Sequence, residues 1–221
     1  MPSGTKNCRT NRLRRMAACL GLLCLAGCSR GPLTIDHEPS HHLVLANDYL
    51  RVYRVEAGPH RSTKLHQHEH DYIWVSIGPA DITNAVQGGT TTEAHLEDGD
   101  VHFVPGNFSH VVTNNSDQPF RNYTIALLRP GSVQLPPNED EHSVNFLNSG
   151  TVESLFVKNG VRAFEITLAP GASVSGQHLA RPHLLVDVNP DDQHIQWSGQ
   201  NESARLTNNS GQKARYLLLE F

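Results

Sequence analysis

The chain has 221 residues, of which 38% are hydrophobic, and its 18 basic and 22 acidic side chains give a formal net charge of −4. This length suits one large domain or two small ones with a real core, and no apolar run reaches the roughly 18 residues that a spanning helix needs, which excludes a polytopic membrane protein. Five of the basic residues and no acidic ones lie in residues 1–27. The acidic remainder has no basic patch, which excludes nucleic acid as a partner.

The N-terminal segment has the layout of a secretory signal. Basic side chains within residues 6–15 precede an apolar stretch at 16–27 that is too short to span a bilayer. Leu25-Ala26-Gly27-Cys28 resembles the lipobox of bacterial lipoproteins, in which the chain is cut before the cysteine and the thiol is lipidated. The resemblance implies an acyl (palmitate-bearing) anchor on Cys28, and an ordinary signal peptide with a chance cysteine is the alternative. By the same resemblance, Ser29 carries no inner-membrane retention signal, so we predict attachment to the outer membrane, facing the periplasm.

All four cysteines lie at or before the predicted cut, at positions 8, 19, 24 and 28. The body of the protein therefore has neither a disulfide nor a catalytic thiol. The polar stretch from the cut to residue 42 is predicted to be a tether.

From residue 43 onward, short β-type runs alternate with turns rich in Gly, Pro, Asn and Asp. Examples are LRVYRVEA at 50–57, DYIWVSIG at 71–78 and RNYTIALL at 121–128. No stretch of helical length shows a sustained period of 3.6 residues, so we predict an all-β sandwich or barrel.

The second half of the chain repeats the first in a shortened form. Residues 161–166 (VRAFEI) parallel 50–55 (LRVYRV), and the TNNS of 113–116 recurs at 207–210. The offset falls from 111 to 94 residues between the two matches, as if the second copy had lost a hairpin near residues 82–98.

The histidines of the first copy form a pattern with chemical meaning. His66, His68 and His70 alternate just before a strong strand, so they share one face of an extended chain and can point at one ion. Asp71 follows directly but has the opposite parity. His110 lies about forty residues downstream.

The segment around His110 resembles the second conserved motif of the cupin family. Gly99, Pro105, His110 and Asn114 fall on its spacing, with a proline six residues after the glycine, a histidine five further on and an asparagine four beyond that. One departure is that Gly106 stands one place early, with an asparagine at the usual glycine site.

The segment around His66 resembles the first cupin motif. Two histidines separated by one residue precede the acidic residue Asp71. Gly78 lies seven positions after Asp71, as the motif requires. Two departures are that an aspartate replaces the usual glutamate and that only two residues separate it from His68.

The resemblance implies a cupin jelly roll, the double-stranded β-helix, present as two tandem barrels of which the second is shortened and degenerate. The predicted boundaries are a signal peptide at 1–27, a tether at 28–42, a metal-binding cupin domain at 43–130, a linker at 131–149 and a degenerate domain at 150–221. In the second copy Ala204 falls at the position of His110, so we interpret that barrel as structural.

Cupins bind one divalent metal through three histidines and a glutamate. Carried over residue by residue, the ligands are His66, His68 and His110, with Asp71 in the acidic place and His70 as its substitute on grounds of parity. Iron, manganese, nickel, copper and zinc all suit such a site, and a barrel that has lost its metal is the alternative.

Three functions fit this interpretation. The first is a metal-dependent, dioxygenase-like enzyme acting on a small organic substrate, because three neutral histidines leave coordination positions open. The second is a non-catalytic module that binds a small ligand, and the third is an envelope scaffold. Because cupins commonly dimerise through sheet edges, the resemblance also allows a homodimer.

Overall fold

The computed structural model describes residues 31–129, 146–147, 150–175, 182–188, 194–199 and 205–221. The predicted signal peptide, Cys28, Ala204 and almost all of the predicted linker lie outside these ranges. Within them no helix has the length and hydropathy needed to cross a membrane. The β-strands are β1 (Leu33–Thr34), β2 (His41–Ala46), β3 (Leu50–Ala57), β4 (His66–His68), β5 (Tyr72–Ser76), β6 (Ala80–Val86), β7 (Thr91–Leu96), β8 (Val101–Val104), β9 (Phe108–Asn114), β10 (Phe120–Leu127), β11 (Phe146–Leu147), β12 (Gly150–Lys158), β13 (Val161–Leu168), β14 (Ser173–Ser175), β15 (His183–Asp187), β16 (Ile195–Ser198), β17 (Arg205–Thr207) and β18 (Ala214–Glu220).

The first half forms a barrel from two facing five-stranded sheets. One sheet has the order β2-β3-β10-β5-β8 and the other the order β1-β4-β9-β6-β7. All pairings are antiparallel except that of β1 with β4, which is parallel. A short 3₁₀ turn, Ile35–His37, leads from β1 to β2.

Strand β5 shows how the sequence divides the two sides of the first sheet. Successive side chains of a strand point to opposite faces. Ile73 and Val75 pack into the hydrophobic core on one face, whereas Tyr72 and Trp74 line the barrel interior on the other. Both faces are covered, which explains the continuous apolar run in this segment.

The second half repeats the first sheet strand for strand. Its order, β12-β13-β18-β15-β16, matches that of β2-β3-β10-β5-β8. The facing sheet has only β11, β14 and β17 among the described residues. Counterparts of β6 and β7 are missing from that described sheet, so the prediction of a double-stranded β-helix with a shortened second copy is confirmed.

One asparagine makes the same contacts in each copy. The Asn114 amide donates to the carbonyls of Ala57, Gly58 and Gln118. The Asn208 amide donates to those of Leu168, Ala169 and Gln212. The repeated TNNS therefore marks a side chain that ties the end of one strand to a neighbouring turn in both barrels.

The two halves share one hydrophobic core and belong to one compact unit, Pro32–Phe221. Eight buried side chains of the first half (Leu50, Val52, Ile73, Val75, Ile77, Tyr123, Ile125 and Leu127) pack with eight of the second (Val161, Ala163, Leu184, Val186, Val188, Leu217, Leu219 and Phe221). The sheet β2-β3-β10-β5-β8 therefore packs against the sheet β12-β13-β18-β15-β16 through this core. The interior of each barrel lies on the opposite face of its sheet.

The predicted tether is wrong for the part that the structure describes. Residues 33–42 are strand and turn, with β1 paired to β4 and Ile35 packed beside Tyr53 and Val55. His41 and Glu38 are buried. The fold therefore begins before residue 43.

Candidate metal centre

Three of the predicted ligands meet inside the first barrel. His66 and His68 occupy alternate positions of β4, and His110 lies on β9 directly opposite His66. The Nε2 atom of His110 lies 3.0 Å from that of His66 and 3.1 Å from that of His68. All three side chains are buried. The spacing pattern of the sequence thus produces one cluster from two neighbouring strands.

Hydrogen bonds on the far side of two rings fix which nitrogens face each other. His66 Nδ1 lies 2.8 Å from the carbonyl oxygen of Lys64, which can only accept, so Nδ1 carries the proton. His110 Nδ1 donates in the same way to Asn84 Oδ1 at 2.7 Å. In the neutral rings the two Nε2 lone pairs are therefore directed at each other.

Burial prevents extra protons from filling the gap between these nitrogens. Loss of solvation lowers the pKa of His66 to about 4, that of His110 to about 3 and that of His68 to about 2. The neighbouring histidines contribute to the lowered pKa of all three residues, with His41 acting on each of them. At neutral pH His66 and His110 are thus neutral, with their protons on Nδ1 and no proton between their two Nε2 atoms.

A metal cation fits this arrangement. Two nitrogens each about 2.1 Å from one ion lie about 3.0 Å apart when they subtend a right angle. The observed separations match that value. A cation also turns repelling lone pairs into ligands, so the donor set and its spacing could hold one metal ion.

A fourth histidine, His41, joins the cluster and was not predicted. One ligand atom each of His41, His66 and His68 lie within 4.8 Å of one another. The His41 ring stands 4.7 Å from that of His66, centroid to centroid. His41 opens β2, the strand that follows the segment interpreted as a tether.

A buried carboxylate holds His41 in place. Glu38, only 2% exposed, accepts a hydrogen bond from His41 Nδ1 at 2.8 Å and from the backbone N–H groups of Ser40 and Lys64. Burial alone would raise the pKa of Glu38, but these bonds outweigh it and lower the pKa to about 2. A charged Glu38 keeps the His41 proton on Nδ1 and leaves Nε2 free to bind a metal.

The structure does not bring the predicted fourth ligands to the cluster. Asp71 Oδ1 accepts from the Gly106 N–H at 2.9 Å, and Oδ2 accepts from Asn159 Nδ2 at 3.2 Å. His70 is exposed in the turn before β5. Neither residue lines the cavity beside the histidines. The structure thus places Asp71 in a turn and His70 outside the cluster, and it brings His41 beside the three histidines instead.

The departures from the cupin motif have local causes. Asn107 has a φ of 63°, the left-handed conformation usual for glycine and tolerated by asparagine. A Cβ on Gly106 would collide with the backbone of His70 and Asp71. Pro105 precedes this turn between β8 and β9. The exchange of glycine and asparagine therefore lets the two loops approach closely.

The glycines of the motifs lie at a second pair of turns. Gly78 and Gly99 have φ values of 77° and 79°. Gly78 N–H donates to Asp98 Oδ1, and Gly99 N–H donates to the Ser76 carbonyl. These turns join β5 to β6 and β7 to β8, and so set the ends of strands on both barrel sheets.

A cavity of about 200 Å³ opens beside the histidines. The rings of Tyr72 and Phe108 stack near His68, at centroid distances of 4.1 and 5.6 Å. The residues lining the cavity are largely apolar and include no charged side chain: His41, Val55, Thr63, His66, His68, Tyr72, Trp74, Ile82, Asn84, Thr92, Ala94, Leu96, Val104, Phe108, His110, Val112, Phe120, Asn122 and Thr124.

Comparison with solved structures finds the same fold in distant proteins. AerE from Microcystis aeruginosa matches 83% of this chain and 97% of its own, at 11% identity and a TM-score of 0.52. Oxalate decarboxylase from Bacillus subtilis, which has Mn(II) centres, matches over 79% of this chain and 69% of its own, at 12% identity and a TM-score of 0.50. A cupin domain from Bordetella pertussis matches over 39% of this chain and 90% of its own, at 23% identity and a TM-score of 0.37.

No protein-family model and no curated protein matches the sequence. At identities of 11–12% the likeness to AerE and oxalate decarboxylase is one of fold. Function must therefore be argued from the site.

Proposed function

We propose that this chain is a metal-binding cupin whose first barrel holds one divalent transition metal through His41, His66, His68 and His110. The opposed Nε2 atoms of His66 and His110, both with their Nδ1 protons committed elsewhere, carry this proposal. Oxalate decarboxylase, which has the same fold, has Mn(II) centres. Here four imidazoles without a carboxylate favour iron, nickel, copper or zinc over manganese.

Elemental analysis of the purified full chain tests the metal centre. We expect close to one metal ion per chain in the wild type, and less than about a tenth of that in the double variant His66→Ala/His110→Ala, since losing two of four ligands removes most of the affinity. His70→Ala and Asp71→Asn are matched controls outside the cluster and should keep the metal. A metal-free wild type after reconstitution with each candidate ion would refute the centre.

We further propose that the centre acts on a small organic molecule in an oxygenase-type reaction. Such a metal, when bound, supplies open coordination positions for O₂ or substrate. The chain contributes a largely apolar cavity, and Asn84 and Glu38 keep two ligand rings oriented. Burial raises the pKa of Tyr72 well above its usual range, so this phenol stays protonated.

The second candidate, a non-catalytic binding module, is favoured by one observation. Among the described residues that line the cavity there is no carboxylate, no lysine and no histidine outside the four-histidine cluster. A reaction that needs a general base therefore has none here. Oxygen consumption by the metal-loaded protein with a bound ligand supports the enzyme, and tight binding without turnover supports the module.

We also propose that Cys28 carries a lipid anchor holding the barrels at the periplasmic face of the outer membrane. The support is the order of basic segment, apolar segment and cysteine at residues 6–28. Radiolabelled palmitate should be incorporated into the wild type in a Gram-negative host and not into Cys28→Ser. Equal labelling of the wild type and the variant would refute the lipid anchor on Cys28. The homodimer stays a prediction.

A further inference from the structure

The cavity wall beyond the histidines is uncharged and largely apolar, and this composition favours some ligands over others. The polar groups there are mostly engaged within the protein. Asn84 Oδ1 accepts from His110, and Thr63 Oγ1 accepts from the Val112 N–H. No Lys, Arg, Asp or Glu is among the described residues that line it. A ligand thus meets an apolar, uncharged surface except at the metal.

The metal would attract one anionic group, and the uncharged wall around it disfavours a second. Four neutral imidazoles around a divalent ion leave a net charge of about +2, which attracts one oxygen donor with negative charge. Any second anionic group would lie against apolar wall without a cation to pair with, and burying an unpaired charge is costly. The wall therefore discriminates against dicarboxylates and phosphate esters.

One buried amide remains available to a neutral part of the ligand. Asn122, on β10, is 6% exposed and lines the cavity. Its Oδ1 accepts a hydrogen bond from the Thr124 hydroxyl at 2.9 Å, which fixes the amide so that the NH₂ group is the free end. That NH₂ group has no protein acceptor within the described part of the chain, so it can donate to a ligand oxygen.

We propose that the ligand of this centre is a small molecule with one metal-binding oxygen group, an otherwise uncharged and largely apolar body, and a hydrogen-bond acceptor that reaches Asn122. The cavity of about 200 Å³ limits that body to about one ring, since drug-sized ligands occupy roughly 300–1,000 Å³. The inference rests on the proposed metal centre and adds the chemical class of what the centre binds.

A pair of probes of equal size tests the charge rule. 3-Carbamoylbenzoate and isophthalate share one carboxylate and differ in that a neutral amide replaces the second. We expect isothermal titration calorimetry of the zinc-loaded full chain at pH 7.5 to show 3-carbamoylbenzoate binding at least about tenfold more tightly than isophthalate. Equal or tighter binding of isophthalate, or binding of neither probe, would overturn the inference.

Two neighbouring arginine substitutions make the test specific for the wall. Thr92 is an exposed residue of β7 that lines the cavity, and Thr91 is exposed on the same strand but does not line it. Thr92→Arg supplies the missing cation and should tighten isophthalate binding about tenfold, while Thr91→Arg leaves both probes unchanged. The same response to both substitutions contradicts the charge rule.

The role of Asn122 has its own readout. Asn122→Leu should weaken 3-carbamoylbenzoate about fivefold and leave benzoate, which lacks the second acceptor, within about twofold. Parallel losses for both probes would show a packing defect instead of a lost hydrogen bond. Zinc content is measured on every sample. A protein without zinc refutes the proposed centre, whereas a zinc-loaded protein with the wrong probe preference refutes only the ligand class.

Discussion

The Glu38 carboxylate connects the N-terminal segment to the proposed metal centre without lying in the cavity. It binds His41 Nδ1 and two backbone N–H groups in a buried position. A carboxylate behind a ligating histidine orients the ring and raises its basicity, and its loss commonly lowers metal affinity by about 10- to 100-fold. Glu38 is therefore a positioning residue.

We expect Glu38→Gln to weaken zinc binding about tenfold or more in a competition titration against a chromophoric chelator. Because the pKa of Glu38 is about 2, the wild-type carboxylate stays charged between pH 5 and 9, and the affinity ratio of wild type to variant should be constant over that range. Its contribution to folding is present above its ordinary pKa of 4.5 and is lost as the pH falls towards 2.

Glu56→Gln is the matched control. Glu56 forms a half-exposed ion pair with Arg121 on the first sheet, and exposed pairs of this kind contribute little. Its substitution should leave zinc affinity unchanged. A Glu38→Gln protein with wild-type affinity would show that the carboxylate holds the segment only and does not act on the metal through His41.

At the scale of elements, the sequence patterns correctly predicted on which strands, and on which face of a strand, the histidines lie. The alternation of His66 and His68 placed both side chains on one face of β4, and the fixed spacing from Gly99 placed His110 on the partner strand. The repeat predicted a second, shortened copy of the barrel, and the described part of that copy has a sheet whose strand order matches that of the first.

The segment before residue 43 could not be predicted in the same way. Its sequence, GPLTIDHEPSHH, is polar and lacks a strand-length alternation. Its structure depends on the parallel pairing of Leu33 with His66, a long-range contact that no local pattern encodes. For the same reason the sequence did not predict that His41 lies beside the other three histidines. The Glu-x-x-His spacing that joins Glu38 to His41 was the available signal.

The error about Asp71 also has a long-range cause. The motif spacing favoured a carboxylate at the metal, but Asp71 binds Gly106 in one loop and Asn159 in the second half of the chain. The Asp71 side chain therefore joins its own loop to the loop of Gly106 and to the second half of the chain. Nothing within residues 66–78 predicts a partner at Asn159.

On the scale of the whole molecule, the two barrels cannot be independent, because each covers the other's hydrophobic sheet. Phe221, 1% exposed, contacts Trp197 in its own half and Tyr49 in the other, with ring centroids 5.6 and 6.2 Å apart. Arg215 adds a polar link from the second half to Asp98 of the first. Separating the halves would expose the apolar faces of both sheets.

We therefore expect the two halves to unfold in a single transition. Trp74 reports on the first half and Trp197 on the second, so Trp197→Phe and Trp74→Phe give two single-tryptophan proteins whose fluorescence can be followed in urea with a chelator present. Circular dichroism measures how much each tryptophan substitution itself changes the stability. After correction for that change, the urea midpoints of the two fluorescence signals should coincide. Excluding metal matters because an ion bound to the first barrel would stabilise that half selectively.

Phe221→Ala in each background decides the question. Truncating this buried ring should lower the free energy of unfolding by about 3–5 kcal/mol, and a shared core transmits that loss equally to both tryptophan signals. Val157→Ala, at a site 38% exposed, is the control and should change it by less than about 1 kcal/mol. If Phe221→Ala shifts the Trp197 signal alone, the barrels unfold separately, and the common core couples them less than its packing indicates.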